Sequence, residues 1–543
     1  MSAIDKRELT AALVRIADLL DVRGQRGYIV GGFIRDWLLE RKTHDIDIAV
    51  SCDPVTIGRE VAQAVGGTFV LLDKANGIVR VVLAGDGQNS RESPRAEWHF
   101  DFSPFSGDIG SDLGRRDFTI NAMALELRQF VSARTGDNAS PGRAIDSLPA
   151  DRSAVKLIDP FSGRQDLSDK LVRAISTQVF QADAARLLRA VRLAAELGFA
   201  IEPETERSMR QCSRAISEVP GERVREELVR LLRLPGAAGH LRYLDSLGLL
   251  LTLIPELAAG KGVDQPTVHF WDVFEHSVQT VAALEFLVRE SNWEHGRGDM
   301  LAAAPWSDAI DSHLSREVSS GSTHRVLLKL GALLHDVAKP MTKSVDDTGR
   351  ARFLGHTKQG AAMTASILER LRFSNREIRL VESLVYHHLR PVQMANGELP
   401  TRRAVYRYFR DTGKAGIDVL LLALADYLAS RGPLASVEEW TANCRLMNHI
   451  LAEHDAQQAR TLPVKLIDGH DIMHAFELGP GPLVGELLVM VNEAYASGEL
   501  TTREEALALV RRRLAASSKQ QDRITRNAGS PEVNRNLTKT KVD

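Results

Sequence analysis

The sequence has only three cysteines, Cys52, Cys212 and Cys444, spread over 543 residues. No CxxC pair occurs, which excludes a zinc ribbon, and the odd number and wide spacing argue against a disulfide framework. An excess of either charge is also missing. Against 69 Lys and Arg stand 71 Asp and Glu, a formal net charge of −2. With no global basic field, nucleic-acid binding would need a local patch. No apolar run reaches the length needed to span a bilayer, and the opening MSAIDKRELT has no apolar core of a secretory signal. A cytoplasmic protein with no membrane contact is expected. No internal repeat is found.

The composition is that of a soluble globular chain, with 44% hydrophobic and 26% charged residues. The length predicts roughly three or four domains. Residues 5–21 carry a helical period. YIVGG at 28–32 reads as a short strand ending in a glycine pair, FIRDWLLERK as a helix, and HDIDIAV at 44–50 as an alternating strand. Val79–Leu83 and Trp98–Phe102 are further strands, separated by a polar loop. Residues 131–153 look like a surface insertion, 291–323 like a long irregular loop, and 516–543 like a disordered end. From about residue 166 the pattern is helical. The fold class expected is therefore α+β, a small head with a mixed sheet followed by a long helical body.

Two features of the head carry chemistry. Asp45 and Asp47 flank Ile46 in a strand, so both carboxylates point to one face. Like charges that close are unfavourable unless a cation lies between them, and Mg²⁺ suits oxygen ligands and phosphate. Asp101, in WHFDF, is the candidate third carboxylate. Three clustered acids are what two-metal phosphoryl transfer requires. The second feature is the pair Gly31–Gly32 ahead of a helix start, where a phosphate can approach the backbone. Arg35, on the first turn, can reach the same phosphates as a fork donor. A lone glycine pair is usually a turn and a lone DxD usually a solvated strand end. The order strand–GG–helix–strand–DxD is far more specific.

GGFIRDWLLERKTHDIDIAV resembles the first motif of the tRNA nucleotidyltransferase and bacterial poly(A) polymerase family, within the polymerase-β superfamily. GRRDFTINAMAL at 114–125, LIDPFSGRQDLSDKLVRAI at 157–175 and QADAARLLRAVRLAAELGF at 181–199 resemble its later motifs, in order. The resemblance implies catalytic, metal-binding roles for Asp45, Asp47 and Asp101. It implies phosphate contacts for Gly31, Gly32, Arg35 and Arg116. It makes Asp183 and Arg186 the pair that reads the incoming base, with Arg189 and Arg192 on the same helix. The three-residue steps from Asp183 to Arg186 to Arg189 would put them on one helix face. The family usually has Glu before this Asp and Pro after it, where this chain has Ala182 and Ala184. Which nucleotides are added stays open between CCA, CC alone, A alone and a poly(A) tail. The implied partners are the 3′ end of tRNA, CTP and ATP, with Mg²⁺ at the head and no DNA.

A second metal site is suggested further on. His276 lies in VFEHSVQT, His335 and Asp336 together in LGALLHDVAKP, and Asp426 in ALADYLAS. One His, a His-Asp doublet and a distant Asp resemble the HD phosphohydrolase superfamily. Imidazole with carboxylate suits a divalent transition metal or Mg²⁺. His356 and His387 or His388 are candidates for additional ligands. The boundaries expected are 1–155 for the nucleotidyltransferase head, 156–262 for a neck and body, 263–440 for the HD domain, 441–515 for a helical tail and 516–543 for the disordered end. In the stretch 401–414, Arg402, Arg403, Arg407 and Arg410 interleave with Tyr406, Tyr408 and Phe409. That pattern fits either an RNA grip or an amphipathic helix. Two other readings compete with RNA 3′-end addition. One is an HD hydrolase with a regulatory head, which would need a missing head carboxylate. The other is a protein-modifying nucleotidyltransferase, which would not need RRDFTINA.

Overall fold

The computed structural model describes residues 3–84, 97–132, 156–265, 269–395, 398–460 and 466–528. The expected polar loop before Trp98 and nearly all of the expected insertion at 131–153 lie outside the described residues. The chain forms two compact units. Met1–Ala258 with Arg370–Phe373 make the first, and Ala259–Glu369 with Ser374–Asp543 make the second.

The first unit opens with helix α1 (Ala3–Val22), which buries Leu9, Leu13, Ile16 and Leu20 at helical spacing. Strand β1 (Gly27–Val30), helix α2 (Gly32–Leu38), strand β2 (Asp45–Val50), helix α3 (Pro54–Val65) and strands β3 (Thr68–Asp73), β4 (Ile78–Ala84) and β5 (Glu97–Pro104) follow. With β6 (Ala124–Glu126) and β7 (Leu157–Ile158) they form one sheet in the order β3-β4-β5-β2-β1-β6-β7. Only β2 and β5 pair in parallel. Strand β3 is not evident in the sequence. It lies at the sheet edge with Val70, Leu71 and Leu72 all exposed, so its TFVLLD run has no alternation to read. In β5, by contrast, Trp98, Phe100 and Phe102 are buried and turn His99 and Asp101 to the other face. In β2, buried Ile46 and Ile48 do the same for Asp45 and Asp47.

Beyond the sheet the unit is mostly helical, including α4 (Ala185–Leu197) and α5 (Gly221–Arg233), which pack together. Asp183 does not lie on α4, contrary to the three-residue spacing. It is extended (φ −154°, ψ 101°), between a short helix, Val179–Ala182, and α4. Its carboxylate accepts the Ala185 N–H at 3.1 Å, an option the backbone has because short acidic side chains compete with helix hydrogen bonds.

The second unit is built on α6 (Val273–Leu287), α7 (His324–Leu334), α8 (Asn375–His387) and α9 (Gly416–Arg431). Helices α6 and α9 bury residues almost all round and form the centre. The stretch 291–323 is not one irregular loop. It contains helices Gly298–Ala303 and Asp308–Ser315 and a two-stranded ribbon, Glu317–Ser319 with Ser322–Thr323. Met300, Ile310 and Leu314 anchor these short pieces in the core, too few residues to produce a legible period. The three last helices, Gly469–Phe476, Pro482–Ala496 and Arg503–Ala528, share a core around Ile472, Leu487, Val491 and Val510. The final helix passes residue 516, where disorder was expected, because Lys, Gln and Arg favour helix despite their polarity. Residues 529–543 lie outside the described residues. Among the described residues no helix is long and apolar enough to cross a membrane.

Lys329, on α7, is fully buried with its Nζ 2.9 Å from Glu285 Oε1 on α6. Lys329→Met removes the cation beside a buried carboxylate. It should destabilise the second unit by about 3–5 kcal/mol in denaturant unfolding.

Candidate active site and metal centre

In the head, strand register brings the acids together. Asp47 on β2 stands opposite Asp101 on β5, and Asp45 opposite His99. His99 Nδ1 lies 2.8 Å from Asp45 Oδ1. Arg80, from β4, donates to both Asp101 oxygens at 2.7 Å. Burial pushes the Asp47 carboxyl above its usual pKa. Arg116 opposes this, and the neighbouring Asp101 and Asp45 charges add to it. Three carboxylates on one sheet face, with the charges of Asp45 and Asp101 raising the proton affinity of Asp47, fit a divalent cation.

Gly31 ends β1 at φ +74°. A Cβ there would meet Asp47 Oδ2 and Arg116 Nη1 at 2.8 Å each, so glycine is required by both conformation and space. A cavity of about 440 Å³ opens beside it. Gly31, Gly32, Asp47, Arg116, Asp183, Arg186 and Arg189 all line it. Arg189 Nε stands 2.7 Å from Asp117. Arg186 donates to the Arg115 carbonyl at 3.0 Å. The GRRDFTINA segment forms part of this wall and is braced from behind. Thr119 Oγ1 donates to buried Asp166 at 2.6 Å, and Arg173 donates to the same carboxylate at 3.1 Å.

Two expected phosphate or nucleotide contacts lie elsewhere. Arg35 is buried. It donates to Asp36 at 3.0 and 2.9 Å and to Asn121 at 2.8 Å, which places Asn121 in the cavity wall but not itself. Arg192 is also buried, paired with Glu227 and Glu196. Both arginines position the wall. In return, α5 supplies lining residues that sequence reasoning missed: Arg223, Glu226, Glu227 and Arg230. Arg223 grips both Asp183 oxygens at 3.0 and 2.7 Å. Their spacing, i, i+3, i+4 and i+7, is readable in the sequence but looks like any solvated helix face.

In the second unit, His276 from α6, His335 and Asp336 just past α7, and Asp426 from α9 converge. His276 Nε2 is 3.2 Å from His335 Nε2, 3.4 Å from Asp336 Oδ2 and 3.0 Å from Asp426 Oδ1. His356 and His388 join them, 3.6 and 3.9 Å from Asp336 Oδ1, while His387 does not belong to the cluster. The Nδ1 atoms of His335, His356 and His388 face the carbonyls of Ala332, Phe353 and Val385 at 2.6–2.8 Å. Each Nε2 is thereby turned inward, the orientation metal ligation requires. Burial alone would lower the pKa of His335, but Asp336 and Asp426 outweigh it and push it up to about 10. Among the described residues, buried Asp336 Oδ1 and His356 Nε2 have no hydrogen-bond partner. A buried set of imidazoles and carboxylates with unsatisfied atoms fits a divalent metal ion. Lys339, Arg350 and Arg352 border an adjoining cavity of about 500 Å³.

Of the two readings of 401–414, the amphipathic helix describes the packing. Arg403, Arg407 and Arg410 surround Glu493, Tyr408 is buried, and Phe409 stacks on His454 at 3.6 Å.

Comparison with known proteins agrees with this geometry. Family models match at residues 27–173 (poly A polymerase head domain), 198–261 (probable RNA and SrmB-binding site of polymerase A) and 273–431 (HD domain). The chain is 35% identical to the A-adding tRNA nucleotidyltransferase of Deinococcus radiodurans, over 89% of this chain and 94% of that one. The chain belongs to the tRNA nucleotidyltransferase family. Within the family it is also 31% identical to the CC-adding enzyme of Thermus thermophilus, over 89% of this chain and 92% of that one. A Thermotoga maritima CCA-adding enzyme complexed with tRNA shares the fold, with a TM-score of 0.55 and 20% identity over 93% of this chain and 95% of that one. In this nucleotidyltransferase the HD match falls in the second compact unit, apart from Arg370–Phe373.

Asp336→Asn removes one carboxylate charge and reverses the hydrogen-bonding sense of one of its atoms at the centre of the HD cluster. Elemental analysis of the purified variant should show metal content reduced about tenfold or more, with the fold retained.

Proposed function

We propose that this chain adds nucleotides, C and/or A, to the 3′ end of tRNA without a template, at a Mg²⁺-dependent centre formed by Asp45, Asp47 and Asp101. The observation that carries this reading is one cavity shared by Asp47, the Gly31–Gly32 turn, Arg116 and the Asp183–Arg186 pair. Bound Mg²⁺ would supply the positive charge that lowers the pKa of the attacking 3′-hydroxyl and offsets charge on the phosphoryl oxygens. The chain's own residues do the rest. Gly31 leaves room for the phosphates to approach the backbone, and Arg116 neutralises them. Asp183 accepts from the amino group of an incoming C or A, and Arg186 donates to the ring nitrogen of either and, for C, also to the carbonyl oxygen. Arg223 holds Asp183, and Asp117 holds Arg189.

The same reading assigns residues 1–155 to the head, 156–262 to the neck and body, 263–440 to the HD domain and 441–515 to the tail. It makes CTP, ATP and the tRNA 3′ end the partners, excludes DNA and membrane, and places the protein in the cytoplasm. The HD cluster, with His276, His335, Asp336 and Asp426 as ligands, would hold a divalent transition metal or Mg²⁺. A cation there supplies hydrolytic chemistry, and Lys339, Arg350 and Arg352 suit a phosphate ester in the adjoining cavity. An HD hydrolase with a merely regulatory head is disfavoured because no head carboxylate is missing.

Asp47→Ala should lower incorporation of labelled CTP and ATP into tRNA by on the order of 10³ or more. Transfer near the wild-type rate with Mg²⁺ present refutes the catalytic assignment. Substrates ending at the discriminator base, C or CC, read with each labelled nucleotide, separate CCA, CC and A addition.

Arg186→Ala should alter choice more than rate. Misincorporation of GTP and UTP should rise by ~1–3 kcal/mol of lost discrimination. Arg223→Ala should act in the same direction through a released Asp183. Unchanged selectivity in Arg186→Ala rules out its role as a base reader.

A further inference from the structure

A further cavity in the second unit shares no residue with the HD metal centre. It measures about 580 Å³ and is bordered by Arg316, His324, Arg376, Arg379 and Lys414. Its single lining acid, Glu317, accepts the Gly321 N–H at 2.9 Å inside the β-ribbon. Among the described residues none of Arg316, Arg376, Arg379 and Lys414 forms an ion pair. The arginines of the helix Arg402–Thr412 differ, since they are tied to carboxylates.

The placement on α8 is costly on its own. Ser374 caps this helix in a capping box, so Arg376 and Arg379 stand in and just after its first turn. Cations there face the positive end of the helix dipole, and their three-residue spacing makes them repel each other. An anion between them relieves both effects.

The floor of the cavity is rigid and polar. His324 is buried, with Nδ1 3.0 Å from Asp418 Oδ2, and the same oxygen lies 2.8 Å from His313 Nε2. Asp418 and the metal-centre residue Asp426 are both on α9, about 12 Å apart along the axis at the standard helical rise. The two centres are therefore separate. Val318, Leu380 and Ala415 add an apolar wall.

We propose that this cavity is a second nucleotide site. Arg316, Arg376, Arg379 and Lys414 take the phosphate chain of a nucleoside di- or triphosphate, and Val318 and Leu380 receive its base. The size is that of a small-ligand pocket. Cations that track a nucleic-acid backbone spread along an open surface, whereas these converge on one volume.

The test is photolabelling of the full chain with azido-ATP and Mg²⁺, followed by mass spectrometry of the peptides. Label is expected on peptides containing 318–324 or 380–383 as well as on head peptides, and unlabelled ATP should compete for both. In the double variant Arg376→Glu and Arg379→Glu, label at the second site should fall about tenfold or more, with head labelling as the internal standard. Retained HD-site metal reports that the second unit is folded. If metal is lost, Lys414→Ala replaces the double variant, with a several-fold loss of label expected. Label confined to the head overturns the proposal, as does label undiminished in the folded variant. Displacement by a short RNA lacking terminal phosphate at lower concentration than ATP also overturns it, in favour of a nucleic-acid surface.

Discussion

The head depends on one electrostatic constraint, the crowding of Asp45, Asp47 and Asp101 where β2 and β5 run side by side. Negative charges this close are tolerated only if something positive is always at hand. Arg80 serves that need on Asp101 and Arg116 on Asp47, while His99 Nδ1 lies within hydrogen-bond distance of Asp45. The parallel pairing of β2 with β5 in an otherwise antiparallel sheet is what sets Asp47 beside Asp101. The positive φ of Gly31 then brings the β1–α2 turn against the Asp47 carboxylate.

The second unit solves a similar problem by another route. Asp336 is buried deeper than any of the head acids, and imidazoles with Lys339 take the place of arginines around it. Three of those imidazoles are oriented by carbonyls three residues back along their own chain. Local helix-end geometry therefore aims ligands that come from distant parts of the sequence. Such a cluster depends on the packing of α6 and α9, whose nearly uniform burial keeps the ligand-bearing backbones fixed.

Much of this was legible before any coordinates. A period of two puts Asp45 and Asp47 on one face whatever the tertiary structure, and the same logic places Asp101 opposite Trp98 and Phe100. The HD ligands stood out because a His-Asp doublet in an apolar helix has to find a partner. What could not be read were features decided by burial. Arg35 and Arg192 look like surface cations in sequence, yet both are enclosed and act as braces. Arg223 and Glu227 look like a solvated stripe, yet they complete the cavity. Asp183 seemed to share a face with Arg186 because spacing assumes an unbroken helix, and the chain breaks there. At 402–410 the reverse happened, since a pattern suited to RNA is absorbed by Glu493 and the core.

The break at Asp183 carries an evolutionary consequence. The Asp183 carboxylate, the proposed base reader, sits on an extended residue and is held by Arg223 on a separate helix rather than by the sheet that carries the acids. Changes on α5 can tilt it without disturbing the metal-binding strands. On the proposed reading, a lineage could drift from one nucleotide to another by small steps on a helix outside the sheet. The chain is similar over most of its length both to a relative named for adding A and to one named for adding CC, a divergence that such a mounting of the proposed reader fits.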